Sequence, residues 1–395
     1  MRFGLRWSGD RTPRQNIVAL PACERRGTVA IVAPRVTVLM ATYNDAPFLG
    51  AAIDSVLAQT FSGFELLVVI DAATDRSRDV VERYRDPRIR LLENETNLGL
   101  AASLNRGLAV IDSEYVARLD GNDLCFPQRL ARQVAYLEAH PEVAVVGSQA
   151  TRIDVAGRRI GDIARPVTEL GMRWYRIFGS PLVHSSVMFR RAIVWDTLGG
   201  YDESFRFGED FDLWHRLVKE HAIHNLAETL VAYRDDPASM TGAERHPARQ
   251  AYFARKAPMV YENLRNELRW DDIPHRWADL WVEIGDASIP RTAEDVRDVV
   301  SMIESCASRF AALHPDAGTN EEVFTHQAAM LVRALRRAPV AGRLFSLRLW
   351  KTIWRHHRKT ALRAFPRFMM VFLFGQVPIR LRRALRRRRA ERWRR

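Results

Sequence analysis

The sequence predicts an α/β protein: a mostly parallel sheet with flanking helices, followed by a helical C-terminal region. Three observations predict it. Short apolar, β-rich runs alternate with helix-length segments from Val36 to Leu119. Each of those runs ends in a cluster of Asp, Asn, Thr or Gly. Beyond about Arg245 only helical spacing remains, with breaks near Pro274, Pro290 and Pro315.

Residues 1–33 are weakly patterned and read as an N-terminal extension. VTVLMAT (36–42) is the first strand. FLGAAIDSVLAQ (48–59) has helical spacing, with Leu49, Ile53, Val56 and Leu57 on one face. FELLVVI (64–70) is a second, buried strand, DRSRDVVERY (75–84) a polar-faced helix, and RIRLLE (88–93) a third strand. LAASLNRGLAVI (100–111) is a helix and YVARL (115–119) a fourth strand. This alternation implies βαβ units with right-handed crossovers. PQRLARQVAYLEAH then reads as a helix, AVVGSQATRIDVAGRRIGDI as two strands around VAGR, HSSVMFRR as a strand, and 208–221 as a helix. The chain is expected to divide into an extension (1–33), an α/β domain (34–243), a helical region (244–340) and a basic tail (341–395).

A hydrophobic share of 47% suits a large buried core. Cys23, Cys125 and Cys306 match no metal-ligand spacing and read as reduced thiols of a cytosolic protein. No run of eighteen apolar residues predicts a membrane-crossing helix, and no continuous apolar stretch near the N-terminus predicts a signal peptide. The net charge of +13 is unevenly placed. Residues 343–395 carry eighteen Arg or Lys against one acid, Glu391, which leaves −4 for residues 1–342. A basic run joined to the apolar block Phe368–Phe374 is expected to lie on an anionic membrane, each basic residue contributing about 1 kcal/mol near the surface. Nucleic acid is the competing polyanion, but no recognition motif accompanies the charge, so no nucleic-acid partner is expected.

In an open parallel sheet, ligands bind beyond the carboxyl ends of the strands. Thr42, Tyr43, Asn44 and Asp45 follow the first strand and Asp71 the second. Asn94, Asn97 and Gly99 follow the third, and Asp120, Asn122 and Asp123 the fourth. One such end is an ordinary turn. Four together point to a pocket for a polar, phosphorylated ligand.

VTVLMATYNDAPFLGAAIDSVLAQTFSGFELLVVIDAATDRS, NETNLGLAASLNRGL, YVARLDGND, HSSVMFRR, GGYDESFRFGEDFDLWHRL and VAYRDDPASMT occur in that order. Over about residues 34–241 this series resembles the family 2 glycosyltransferases of GT-A fold. The resemblance implies an inverting, hexosyltransferase-type enzyme of cell-envelope polysaccharide synthesis. It would take a nucleotide-sugar donor and a glycan or lipid-linked acceptor, at the cytoplasmic face of the plasma membrane. It implies that Thr42 and Tyr43 flank and stack on the base, and that Asp71 bonds a uracil edge, which favours a UDP-sugar. Asn44, Asn97 and Gly99 belong to the same donor pocket. Asp120, Asn122 and Asp123 match the family's acidic metal motif for Mg²⁺ or Mn²⁺. His184 and Arg234 match positions near the diphosphate, and Asp210 matches the general base.

The chain departs from the family pattern at Ile70 and Asn122, where acids are usual, and at Asp235 and Asp236, where a histidine is common. Ile70 and Asn122 are the support for an alternative, a catalytically degenerate nucleotide-sugar-binding or scaffolding protein. A nucleotidyltransferase would need a Gly-rich basic loop after the first strand, which ATYNDAPF lacks.

Overall fold

The computed structural model describes residues 17–18, 34–236, 247–285 and 292–334, with four isolated residues beyond. The basic tail and almost all of the N-terminal extension lie outside the described residues.

The strands are β1 (Ile17–Val18), β2 (Val36–Thr42), β3 (Phe64–Ile70), β4 (Ile89–Glu93), β5 (Tyr115–Arg118), β6 (Leu124–Cys125), β7 (Val143–Ile153), β8 (Arg159–Ile163), β9 (Met188–Arg190) and β10 (Ala222–Arg234). Among the described residues they form one sheet in the order β1-β4-β3-β2-β5-β9-β7-β10-β6, with β8 beside β7. β4, β3, β2 and β5 run parallel. β9 enters antiparallel, and β10 lies parallel to β7. Every residue of β2 is buried, because helices cover both faces of the sheet.

Those helices are α1 (Ala46–Leu57), α2 (Ser77–Glu82), α3 (Leu100–Leu108), α4 (Arg129–Ala139), α5 (Glu169–Phe178) and α6 (Glu209–Leu217). α1 buries Leu49, Ala52, Ile53 and Val56, spaced three and four residues apart, with Pro47 in its first turn. On that face of the sheet they pack with Val38, Met40, Leu66 and Val68. On the other face Leu39, Leu67 and Val69 pack with Leu104 and Leu108 of α3 and with Leu213 and Trp214 of α6.

Four further helices follow: α7 (Pro247–Leu268), α8 (Arg276–Gly285), α9 (Ala293–Leu313) and α10 (Glu321–Ala334). Their core includes Trp174, Ile177 and Phe178 of α5, so it grows out of the α/β part of the chain. Glu322 of α10 reinforces that junction by accepting the backbone N–H groups of Val167 (2.8 Å) and Thr168 (3.0 Å) beside the α5 N-terminus. Among the described residues no helix is long and apolar enough to cross a membrane.

The structure differs from the sequence reading at several elements: strand β6, helix α5 and a helical turn at Ala192–Thr197 were not expected, and β1 falls inside the expected extension. HSSVMFRR divides into a 3₁₀ turn (His184–Ser186) and the short strand β9. β10, thirteen residues long, was not expected: Glu228 and the polar residues of its first half mask the strand alternation.

Candidate active site

The carboxyl ends of β2, β3, β4 and β5 meet at one edge of the sheet. The Asp71 N–H donates to the Thr42 carbonyl (3.0 Å), and the Asn94 N–H to the Ile70 carbonyl (2.8 Å). Gly121, in the turn after β5, lies against the end of β2. A Cβ there would stand 2.6 Å from Thr42 Oγ1 and 2.9 Å from Asp45 Oδ2.

Within that edge the predicted donor residues divide into two kinds. Asp71 is buried, and its oxygens accept from Asn94 Nδ2 (2.7 Å) and from the backbone N–H groups of Leu98 and Gly99 (2.8 Å each). It shapes the loop that carries Asn97, whose amide in turn donates to the Asp71 carbonyl (3.4 Å). Gly99 takes a positive φ of 90°, which favours glycine at this turn. Asn44, at φ 59°, accepts the Thr74 N–H at 2.8 Å and so ties the β2 loop to the β3 loop. Thr42 is buried and donates to Asp45 Oδ2 (2.8 Å). Asn44, Asn97 and Tyr43 are the exposed members of the group, and Tyr43 is its one aromatic, with 47% of its surface open. An aromatic face left open beside a polar edge suits a planar base.

The DGND turn is held from three sides. The Asp120 N–H donates to Ser185 Oγ (3.1 Å), and its half-buried carboxylate pairs with the fully buried guanidinium of Arg118. Asp123 is fully buried; Oδ1 accepts the Arg234 N–H (2.7 Å), while Oδ2 has no hydrogen-bond partner. The Arg234 guanidinium donates to the Asn122 carbonyl (2.7 Å) and the Asp154 carbonyl (3.0 Å) and lies over the Phe48 ring. Its charge is therefore spent on the turn, where it braces the loops around Asn122. Asp235 pairs with Arg152.

Burial, with the Asp120 charge adding to it, pushes the Asp45 carboxyl up to about 6 and the Asp123 carboxyl up to about 7. Among the described residues no three His, Cys, Asp or Glu side chains converge on one point. Mg²⁺ needs only one or two carboxylates beside substrate phosphates and water, and the partly open Asp120 carboxylate meets that minimum.

The other wall is the first turn of α6, entered through Gly208 at φ 78°. Glu209 and Asp210 follow. Burial and the Asp210 charge push Glu209 up to about 7, and burial raises Asp210 as well. Ser180 and Lys256 oppose the rise at Asp210; the Lys256 ammonium sits 4.7 Å from the Phe211 ring centre. His184 Nε2 and the Tyr201 hydroxyl are 2.8 Å apart, and His184 Nδ1 lies 3.6 Å from Glu209 Oε1. Burial and the Arg118 charge hold His184 far below its ordinary value, so its ring is neutral. Burial raises Tyr201, which lies within the fields of Arg118, Glu209, Asp210 and Asp120 at once.

Sequence reasoning missed Arg118, Tyr201 and Lys256. Arg118 had a signal: a lone charge inside an otherwise apolar, fully buried strand requires a partner. Lys256 had none, because only the fold brings α7 to α6.

The family model described as Glycosyl transferase family 2 matches residues 37–198. The chain is 39% identical over 209 residues to EpsE of Bacillus subtilis (strain 168), which carries a glycosyltransferase name; the match covers 51% of this chain and 74% of EpsE. It is 31% identical over 205 residues to the amylovoran biosynthesis glycosyltransferase AmsE of Erwinia amylovora, covering 50% and 75%. Among solved structures it is similar to S. aureus TarS 1–349 in complex with UDP-GlcNAc, at 16% identity and a TM-score of 0.46, covering 86% of this chain and 90% of that one. The mostly parallel sheet, flanked by helices and followed by a helical region, is the α/β architecture expected from the sequence. The chain belongs to glycosyl transferase family 2 and is a glycosyltransferase.

Proposed function

We propose that the enzyme transfers a sugar, with inversion, from a UDP-sugar to a glycan or lipid-linked acceptor in cell-envelope polysaccharide synthesis. One observation carries this reading: the Asp120 turn and the first turn of α6 are linked side chain to side chain, since Asp120 donates its N–H to Ser185 Oγ (3.1 Å) and the neighbouring His184 lies 2.8 Å from the Tyr201 hydroxyl and 3.6 Å from Glu209. Tyr43 offers a stacking face to the base. Asp71 holds the 94–99 loop in the shape that receives the uridine, with its bond to Asn94 and its two backbone bonds as the frame. Asp120 and Asn122 would hold Mg²⁺ or Mn²⁺, which neutralises charge on the departing diphosphate. Asp210 takes the acceptor hydroxyl proton as that oxygen attacks C1 from the face opposite the diphosphate. Burial raises its affinity for protons, which strengthens it as a base. Neutral His184, held by Tyr201 and beside Glu209, keeps the wall behind the base ordered. The basic tail, residues 341–395, would hold the enzyme on the cytoplasmic face of the membrane, near a lipid-linked acceptor.

The test is a panel of UDP-, GDP- and dTDP-sugars read by thermal shift with and without Mn²⁺, followed by donor hydrolysis. A UDP-sugar with Mn²⁺ should raise Tm and be hydrolysed, and Asp120→Ala and Asp210→Ala should abolish hydrolysis. Absence of binding across the panel, or hydrolysis untouched by both variants, overturns the reading; binding without any hydrolysis marks the degenerate alternative.

A further inference from the structure

Among the described residues Arg118 is one of two arginines buried almost completely, with Arg129; it is 2% exposed in the last position of β5. Its guanidinium pairs with Asp120 two residues on. Nε and Nη1 make no well-directed hydrogen bond, so Asp120 is held chiefly by charge. Burial works against the Arg118 charge, and the Asp120 carboxylate outweighs it, so the guanidinium stays ionised. The same charge is felt by Asp123, His184, Glu209 and Asp210. A buried ion costs several kcal/mol when its partner is removed, so a chain without need of this charge would place an apolar residue in so dry a strand. Val116, the buried residue two places earlier, shows that the strand accepts one.

We propose that Arg118 is a positioning residue of the transfer reaction. It fixes the Asp120 carboxylate toward the donor, and its charge lets that carboxylate lie near Glu209 and Asp210. The inference rests on the reading of Asp120 as the donor-side carboxylate. Lysine at this position would keep a charge but move it, because its compact ammonium sits on a stem of different length and shape from the guanidinium.

The test is a double-mutant cycle of Arg118→Lys, Asp120→Asn and both together, on the full chain. UDP binding is measured by calorimetry with and without Mn²⁺, with Tm as the control for folding. Each single variant should weaken Mn²⁺-dependent UDP binding about tenfold or more, and the double variant should be no weaker than Asp120→Asn alone. Binding without Mn²⁺ should change little. Additive losses, or an Arg118→Lys protein of normal Tm that binds UDP with Mn²⁺ as the wild type does, overturn the role of Arg118. A normal response from Asp120→Asn overturns the donor-side reading instead. Should Arg118→Lys not fold, donor KM and kcat of Arg118→Gln refolded with UDP and Mn²⁺ decide. A rise in donor KM, with or without a fall in kcat, supports positioning, and an unchanged KM overturns it.

Discussion

Asp123 and Arg234, 111 residues apart in sequence, are joined by a 2.7 Å hydrogen bond from the Arg234 N–H to the Asp123 carboxylate. That bond fastens the turn after β5 to the end of β10, and the Arg234 guanidinium fastens the same turn again through the Asn122 carbonyl. The two acids of the motif therefore differ: Asp123 is fully buried and bonded to β10, and Asp120 stays partly open with its carboxylate paired to Arg118.

Asp123→Asn keeps the accepting oxygen and removes a buried charge whose proton affinity is already raised to about 7. It should match or exceed wild-type stability at pH 8. Asp123→Ala leaves the buried Arg234 N–H unpaired and should cost about 1–3 kcal/mol. Urea unfolding of the two variants at pH 8 checks this order.

Gly121→Ala should fail differently. The added methyl would meet Thr42 Oγ1 and Asp45 Oδ2 inside contact distance, so the end of β2 and the DGND turn must part. The expected cost is about 1–3 kcal/mol of stability. Donor affinity should fall with it, measured as KM for the UDP-sugar.

Glu209 gives a pH signature. In the fold it keeps its proton up to about pH 7, against an ordinary value of 4.5, so the folded chain binds more protons between those limits. Stability from this group is fully present below about pH 4 and is lost as pH rises toward 7. Glu209→Gln should remove that loss and gain on the order of 2 kcal/mol relative to wild type between pH 5 and pH 8. Denaturant midpoints at the two pH values measure it.

His215 joins α6 to α7. Its Nδ1 lies 2.9 Å from Asn263 Oδ1 and its Nε2 lies 3.0 Å from Glu262 Oε2, while Asn263 donates to the Arg176 carbonyl at 3.1 Å. His215→Ala should lower stability by about 2–3 kcal/mol by stranding buried partners. It should also lower kcat, because the first turn of α6 carries Asp210. Tm and kcat measured on the same preparation check both.

The parallel half of the sheet was legible because β2, β3 and β4 are short, apolar and bounded by turn residues. The strand ends that build the site were legible for the same reason. Side-chain commitments were not. Nothing in DGND distinguishes the buried Asp123 from the partly open Asp120, since the difference is made by β10, which arrives a hundred residues later. Nor could local spacing reveal that the Asp71 oxygens are taken by the 94–99 loop, or that Lys256 reaches α6, because both depend on packing between distant elements.

The central claim is that Asp120 serves donor binding and Asp210 serves proton transfer in one cleft. Calorimetry of UDP binding with Mn²⁺, paired with turnover of the UDP-sugar, tests it on Asp120→Asn and Asp210→Asn. Asp210→Asn should bind UDP as the wild type does and lose turnover by about 10²–10⁴-fold, while Asp120→Asn should lose binding and turnover together. An Asp210→Asn enzyme that turns over normally, or an Asp120→Asn enzyme that binds UDP normally, would contradict the account.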